Sequence, residues 1–384
     1  SSYTLSELQT KVSALGNATN GFVMSNAVYA ADGAQNEAVL ATPLTPANIA
    51  KKKEDALANP VKIYVERIAA KVTVNTTAEN KYAIGEEVDG TQVYAKVLGW
   101  ELYNEFDHSY LLKHIDATWT DTAVGFSWND AAWFRSYWAK SPVANFGAEN
   151  QVSYDTLANA VAASDYCGEN TYNDACTKVV VKALLVDASN NPVEIATWYG
   201  NDYIGEAALR TVVANTLASQ LYYLEGTDYK SIAADDLKVV EANETNPNTE
   251  ADMKAYHVFF QLSNDGVAKE WYTYSSVEGF NYADDDSVNV ILGGVEPALL
   301  YKGGNAYYYT DIKHLGTPQS RGAVGVVRNH TYRVNITDVV GYGTPVYDGS
   351  VGFLTPEKPQ DASTYVAAQI NILSWRIVDE DYEI

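Results

Sequence analysis

The sequence predicts a mainly β protein with two β-sandwich domains and a few short helical insertions. Its 384 residues are enough for two or three domains at roughly 150 residues per domain. Most apolar segments alternate apolar with polar residues, which is the period of a half-buried strand. Tyrosine is abundant, with 29 residues against two methionines, as is typical of strands and exposed surfaces rather than of a helical enzyme.

Composition and charge exclude several classes of protein. With 47% hydrophobic and 20% charged residues, the chain can build a sizeable core and is neither disordered nor collagen-like. A formal net charge of −23 repels phosphate backbones and anionic lipid head groups, which argues against nucleic-acid and membrane-surface partners. No apolar run approaches the ~20 residues of a membrane span. The chain begins without a basic-then-apolar signal peptide, which is compatible with a mature, processed or truncated product.

The N-terminal third contains two predicted helices and two predicted strands. Apolar residues recur at three- and four-residue steps over the first fifteen positions, which predicts a helix capped by Thr4 or Ser6. Helix formers are dense over residues 46–57, where a second short helix is expected. Residues 61–74 alternate, but the phase changes between Val65 and Ile68, as at a β-bulge or a bend. We expect this run to pair with a strand over residues 92–103, across a connection at residues 85–90.

A tryptophan-rich stretch from Asp116 to Phe146 shows neither a helical nor a strand period. This pattern favours a long loop that packs on its own side chains and bridges two domains, which we place at residues 1–116 and 117–384. A sugar-stacking platform is the alternative interpretation of the same aromatic residues.

The remainder of the chain is predicted to be mostly strands around one helix. A hairpin is expected to turn at Asn190 to Pro192. The predicted helix covers residues 204–224, with Ala208, Val212, Leu217 and Leu221 on its apolar face. The predicted strands lie at residues 257–262, 289–294, 305–315, 326–343 and 365–378.

The two cysteines, Cys167 and Cys176, flank a polar, turn-forming segment. A small disulfide loop is our preferred interpretation, with free thiols as the alternative, and a disulfide would place the protein outside the cytoplasm. A zinc site needs more ligands than this segment offers.

No sequence motif marks an active site. The five histidines lack metal-ligand spacing, and we interpret His114 and His314 as surface or strand-end residues. The patterns H-E-x-x-H, G-x-S-x-G, G-x-G-x-x-G and the P-loop do not occur. Because carboxylates are numerous, their number does not exclude a glycosidase acid/base pair, although no two of them are marked by a motif. The three aspartates at residues 284–286 lack the spacing of a calcium loop and suit a solvated surface better. We therefore expect no enzyme, no cofactor and no metal.

The C-terminal segment carries the clearest pattern. Residues 365–378 alternate, and the alternation slips at Ile372 and Leu373, which predicts two consecutive strands with a bend between them. A polar, proline-containing linker at residues 355–364 precedes them. Such a strand is either an ordinary last strand or one that leaves its own subunit to complete the sheet of another.

Five segments in the same order resemble a known family. They are GFVMSNA (21–27), YVERIAAKVTV (64–74), the FSW…WFRSYWAKSP block (126–142), VVRNHTYRVNI (326–336) and INILSWRIV (370–378). Together they resemble the major fimbrial shaft subunits of Bacteroidales, the fimbrillins of type V pili.

The resemblance implies two transthyretin-like β-sandwich domains and a structural role in a cell-surface fimbria. Such subunits are exported through the outer membrane as lipoprotein precursors, and a protease then removes an N-terminal strand. A neighbour's C-terminal strand fills the groove, so that head-to-tail donor-strand exchange builds a filament that supports adhesion. This sequence shows neither a lipobox cysteine nor an arginine-ending cleavage site.

The resemblance also implies which residues and partners are involved. The donor positions would be Val366, Ala368, Ile370, Ile372, Leu373, Trp375 and Ile377, within a terminal segment at residues 361–384. The acceptor groove would include Ile63, Val65, Ile68, Ala70 and Val72. Expected partners are identical subunits, fimbrial anchor and tip proteins, and host or bacterial surface ligands. The alternative is a tip or accessory adhesin, or a carbohydrate-binding surface module, that does not polymerise.

Overall fold

The computed structural model describes most of the chain. It covers residues 3–26, 29–30, 38–39, 45–61, 65–113, 141–142, 152–170, 172, 175–241, 257–314, 324–348, 354 and 365–374. The helices are α1 (Leu5–Thr10), α2 (Lys53–Leu57), α3 (Gly205–Leu217), α4 (Asn264–Val267) and α5 (Asp285–Gly293). None of the helices within these ranges has the length and apolar character needed to cross a bilayer.

The strands outnumber the helices, which confirms the mainly β class. Before residue 114 they are β1 (Val12–Ala14), β2 (Gly16–Asn17), β3 (Gly21–Phe22), β4 (Met24–Asn26), β5 (Tyr29–Ala30), β6 (Ala38–Val39), β7 (Val65–Arg67), β8 (Ala69–Asn75), β9 (Lys81–Val88), β10 (Thr91–Tyr103) and β11 (His108–Tyr110). After it they are β12 (Ser164–Gly168), β13 (Lys178–Val186), β14 (Ile195–Trp198), β15 (Asn201–Ile204), β16 (Leu221–Glu225), β17 (Asp228–Ser231), β18 (Leu237–Glu241), β19 (His257–Leu262), β20 (Trp271–Ser275), β21 (Gly279–Ala283), β22 (Ala298–Tyr301), β23 (Asn305–Asp311), β24 (His330–Val340), β25 (Thr344–Pro345) and β26 (Tyr365–Ser374).

Two of the sheets share one apolar core. The first has the order β25-β23-β13-β10-β9, and the second has the order β12-β8-β24-β26. In a strand, every second side chain points to the same face. Trp100 and Val181 of the first sheet therefore lie in one buried cluster with Val72 and Val334 of the second. All four side chains are 0–1% exposed. The arrangement is that of a β-sandwich.

Strands from both sides of the predicted boundary at residues 116–117 build this sandwich. β10 pairs with β13, and β8 pairs with both β12 and β24. One core therefore joins the two stretches that we predicted as separate domains. The tryptophan-rich block predicted as the link between them lies almost wholly outside the described residues.

A second core lies between helices and two further sheets. The third sheet has the order β15-β14-β22-β19-β18, and the fourth has the order β17-β16-β20-β21. Helix α3 contributes Leu209 and Val213, helix α5 contributes Leu292, and Phe260 and Trp271 come from the strands. The helices thus cover apolar surface that these sheets would otherwise expose to water.

The predicted helix near the N-terminus is confirmed for residues 5–10, including its cap, but it ends before Val12, which begins strand β1. The Glu7 N–H donates to Thr4 Oγ1 at 3.2 Å, and the Thr4 N–H donates to Glu7 Oε2 at 2.7 Å. This reciprocal pair satisfies two N–H groups that the first turn leaves without partners. Helix α2 lies inside the second predicted range.

The longest helix is shorter than predicted. α3 ends at Leu217, and its buried side includes Leu209, Val213 and Ala214 rather than the predicted Ala208 and Val212. Leu221, which we placed on the helix, begins strand β16. The predicted strand at residues 289–294 is wrong, because this segment belongs to helix α5, whose N-cap Asp284 accepts from the Ser287 N–H.

Several strand partners also differ from the predictions. The phase change near Ile68 is confirmed, since β7 and β8 meet there and belong to different sheets. However, β10 forms its hairpin with β9, across the left-handed turn Asp89-Gly90, and not with residues 61–74. The chain does turn at residues 187–192, but β14 then joins the third sheet. Strand β26 runs unbroken past residues 372–373, where we predicted a bend.

Candidate functional site: the edge that holds the C-terminal strand

Strand β24 is the structural support of the candidate site. Its sequence alternates, which places Tyr332, Val334 and Ile336 in the core at 0–2% exposure and leaves Arg333 exposed. On one side β24 runs parallel to β8, from Thr331 opposite Lys71 onward. Its other side is therefore open to one further strand, because each strand has two hydrogen-bonding edges.

Strand β26 occupies that second side. It pairs antiparallel with β24 over ten positions, from His330 opposite Ser374 to Val340 opposite Tyr365. A register shift between Ile336 and Asp338 places a β-bulge on β24 and lets the pairing continue on both sides of it. Within the described part of the chain, β26 has no second strand partner and forms an edge of the sheet.

The structure places most of the predicted donor positions in β26. Their register partners on β24 are Val339 for Val366, Ile336 for Ala368, Val334 for Ile370, Tyr332 for Ile372 and Thr331 for Leu373. Four of these five positions therefore lie opposite residues that belong to the sandwich core. Trp375 and Ile377 lie outside the described residues.

The predicted acceptor residues are divided among different environments. Val65 lies in β7, which pairs with β4, and half of its surface is exposed. Ile68 is buried in a small cluster with Leu15, whereas Ala70 and Val72 lie in β8 and belong to the sandwich core. Strand β8 already has partners on both edges, so an added strand would have to pair with β24 instead. Ile63 lies outside the described residues.

The predicted disulfide does not form, because Cys167 and Cys176 are both buried free thiols. The Cys167 side chain belongs to the sandwich core, whereas Cys176 Sγ lies 3.8 Å from Asp311 Oδ1. Burial raises the pKa of both thiols, so both are held in the neutral form.

The side-chain amide of Asn170 closes this loop instead. Asn170 Nδ2 donates to Asn104 O at 3.0 Å, Ala175 O at 2.9 Å and Thr177 Oγ1 at 3.1 Å. Its Oδ1 accepts from the Tyr172 N–H at 3.0 Å. Sequence reasoning missed this residue, because one asparagine in a polar loop gives no signal of its burial.

A buried ion pair precedes the start of β24. Arg328 Nε lies 3.0 Å from Glu169 Oε2, and both side chains are at most 1% exposed. Arg328 Nη2 also donates to the Tyr110 carbonyl at 2.8 Å. These contacts join β11, the segment after β12 and the entry to β24, and they fix where β24 begins. No signal in the sequence indicates that Arg328 and Glu169 are buried together.

Two histidines lie beside this pair. We predicted a surface or strand-end position for His314. It lies shortly after the end of β23, but it is only 8% exposed and its Nδ1 lies 2.9 Å from the Tyr332 hydroxyl, so it is not a surface residue. Burial lowers the pKa of His330 to about 4, so this imidazole is neutral at physiological pH. The His314 and His330 rings both lie beside the Tyr332 ring at the start of β24.

The acidic residues do not assemble a metal centre in the part of the chain that the structure describes. Burial raises the pKa of Glu101 to about 7 and that of Glu105 to about 8, with a further contribution from Asp165. Asn159 Nδ2 bridges Glu101 and Asp165, at 2.9 Å and 3.0 Å. Asp284 serves as a helix cap, as described above. Glu101, Asp165 and Asp284 therefore each have a structural partner.

The C-terminal part of the chain matches a protein-family model. Residues 299–381, which include β24 and β26, match the model described as "Major fimbrial subunit protein type IV, Fimbrillin, C-terminal". The match covers the C-terminal part of the chain and shows that this part is similar to the C-terminal region of fimbrillins. The match supports the structural role at the cell surface that is proposed below.

Other comparisons add little to this match. No curated protein matches the chain. A crystal structure of a candidate cell adhesion protein from Parabacteroides distasonis ATCC 8503 is 14% identical, and the match covers 98% of this chain and 72% of that one. Its TM-score of 0.33 is too low to support a conclusion about fold or role.

Proposed function

We propose that this chain is a fimbrillin, a structural and adhesive subunit of a cell-surface fimbria that is joined to like subunits by exchange of strand β26. The observation that carries the proposal is the ten-position pairing of β26 with β24 at the edge of the sandwich. A strand at an edge can be replaced by the same strand of another copy, because the register and the hydrogen bonds are then the same. No enzymatic role is proposed.

We propose that the exchange runs head to tail and builds a filament, rather than running reciprocally between two copies, which would give a closed dimer. When each copy donates its β26 and accepts another through β24, the contact joins two different surfaces. Such a head-to-tail contact extends without limit unless the rotation between copies closes a ring. Anchor and tip proteins would then end the filament, and the lipoprotein export implied by the family resemblance would deliver its subunits.

Exchange itself can be tested with a cysteine pair across the two strands. Arg333 lies opposite Asn371 in the register, and Arg333 is exposed. We expect oxidised monomer of the Arg333→Cys, Asn371→Cys variant to form no filaments under negative-stain microscopy, whereas the reduced protein assembles. The reduced protein is the matched control for its oxidised form.

Oxidation after assembly separates exchange from other modes of polymerisation. If β26 passes between copies, oxidised filaments give a ladder of covalent oligomers on non-reducing gels. Filaments that yield only intramolecular disulfides would refute the exchange. A chain ending at Gln360, which lacks β26, should not polymerise through its own strand.

A capping role is the second candidate, and one observation favours it. In the isolated chain β24 is already fully paired with its own β26, which leaves no acceptor edge there. A tip or accessory adhesin that stays closed in this way would remain monomeric in both redox states. Monodisperse particles of the reduced variant, with and without trypsin, would support this role.

A further inference from the structure

The fourth sheet has an aromatic outer face that takes no part in the second core. Its inner face carries Trp271, Tyr223 and Ala283 and closes the second core. Because strand side chains alternate, the residues between them point away from that core. They form the aromatic face, which consists of Tyr222, Tyr229, Tyr272, Tyr274, Phe280 and Tyr282.

The six rings form one continuous surface. Phe280 stacks on Tyr229 with ring centroids 3.7 Å apart and planes 4° apart, and it meets Tyr222 edge-on at 5.1 Å. Tyr272 lies 5.0 Å from Tyr229 and 6.0 Å from Tyr282. Four of the rings keep 38–67% of their surface exposed, with Tyr282 the most exposed. An exposed apolar cluster of this kind typically marks an interaction surface.

Negative charge surrounds this face. The two segments that build it, residues 220–231 and 270–286, carry seven carboxylates and one lysine. Glu270 Oε1 accepts a hydrogen bond from the Tyr272 hydroxyl at 2.5 Å, which raises the pKa of Tyr272 to about 12. Glu278 is exposed at the turn beside Phe280. A cation brought to these rings therefore meets π-electron density and carboxylates together.

The opposite face of the same sheet already holds a cation in this way. Lys269 Nζ lies 3.6 Å from the centroid of the Tyr223 ring and 2.5 Å from Asp236 Oδ1. Burial lowers the pKa of Lys269, but the hydrogen bond and charge of Asp236, with a smaller contribution from Tyr223, outweigh it and raise the pKa. Tyrosine beside an acid thus binds an ammonium group on this sheet.

We infer that the aromatic face is a docking surface for a basic polypeptide, whose arginine and lysine side chains stack on the rings and pair with the surrounding carboxylates. The inference rests on the adhesive role proposed above and gives its partner a chemical class. Guanidinium groups stack on single ring faces and pair with carboxylates, which suits this arrangement. A pyranose ring needs a flat platform, whereas only one ring pair here is coplanar.

The test uses the full-length Arg333→Cys, Asn371→Cys variant as an oxidised monomer, in which the disulfide holds β26 on its own β24. Its outcome therefore does not depend on filament formation. The probe is a fluorescent octa-arginine peptide, followed by anisotropy at 50 and 150 mM NaCl. We expect Tyr274→Ala, Tyr282→Ala to weaken binding about tenfold, as for two exposed cation–π contacts. Tyr3→Ala, which removes an exposed tyrosine elsewhere, is the matched control and should bind as the parent does. Both variants keep the net charge of the parent.

Charge and ring contributions are separated by a second variant. Glu270→Gln, Glu278→Gln should weaken binding about threefold and flatten its salt dependence. Equal affinity of the tyrosine double variant and the Tyr3→Ala control would overturn the inference, because binding would then be generic attraction to an acidic chain. Absence of binding at 50 mM NaCl would overturn it too, as would binding of neutral cellohexaose that the same tyrosine substitutions abolish. Should the double variant misfold by circular dichroism, Tyr282→Ala alone replaces it.

Discussion

Replacement of Asn170 by alanine should destabilise the protein, whereas reducing conditions should not. The amide makes four hydrogen bonds and is fully buried. Each such bond contributes about 1 kcal/mol net, and buried groups left without partners cost more. The amide has two hydrogens for three acceptors, so the four contacts amount to about three full hydrogen bonds. We therefore expect Asn170→Ala to lower the free energy of unfolding by about 3 kcal/mol.

Urea unfolding followed by fluorescence measures this effect. With an m-value of about 3 kcal/mol/M, the transition that reports the sandwich should move to lower urea by roughly 1 M. Reductant should leave the parent midpoint unchanged, because Cys167 and Cys176 are free thiols. Two thiols per chain should also react with a thiol reagent in urea without prior reduction. If reduction lowers the urea midpoint of the parent, and the Asn170→Ala variant has the same midpoint as the parent, then a disulfide and not Asn170 stabilises this loop.

Three further predictions follow from the same structure. Arg328→Met should lower the free energy of unfolding by about 3–5 kcal/mol, because it leaves Glu169 as a buried charge, and adding Glu169→Met should recover much of this loss in urea titrations. Asp284→Ala should cost about 1 kcal/mol through loss of the α5 cap, whereas Asp285→Ala in the first turn should cost less, and equal costs would contradict the capping role. Burial raises the pKa of Glu105 from 4.5 to about 8, so between these pH values the native state holds a proton on this carboxyl that the unfolded state has lost. Its contribution to stability should therefore decline as pH rises from about 4.5 to about 8, and a Glu105→Gln variant with an equally steep pH profile would contradict this.

Local patterns predicted local structure well. The short apolar run HVFFQL predicted a strand at residues 257–262, and β19 has those bounds. Thr4 and Glu7 predicted the start of α1, because a capping box involves only neighbouring residues. The phase change near Ile68 predicted the break between β7 and β8. In each case the signal and the contacts that it reports lie within a few residues of each other.

Errors arose where a short pattern fits two structures. The apolar run at residues 289–294 suits a buried strand as well as a buried helix, and the cap at Asp284 with packing on β19 makes it α5. The cysteine spacing suited a disulfide loop, but the Cys167 side chain packs in the core, and hydrogen bonds of the Asn170 side chain hold the loop together instead. Burial of Arg328, Glu169 and His314 likewise depends on segments distant in the chain.

The sequence by itself determined the mainly β class, the C-terminal strand and the resemblance to fimbrillins, since these depend on residue periodicity and short ordered motifs. Only the tertiary structure decided that β8 lies beside β24, that β26 closes the remaining edge, and that residues on both sides of position 116 share one core. The physical reason is that a strand's period specifies which face is buried but not which strand pairs with each edge. Main-chain hydrogen bonds are chemically alike at nearly every residue, so the choice of partner depends on the packing of the whole core.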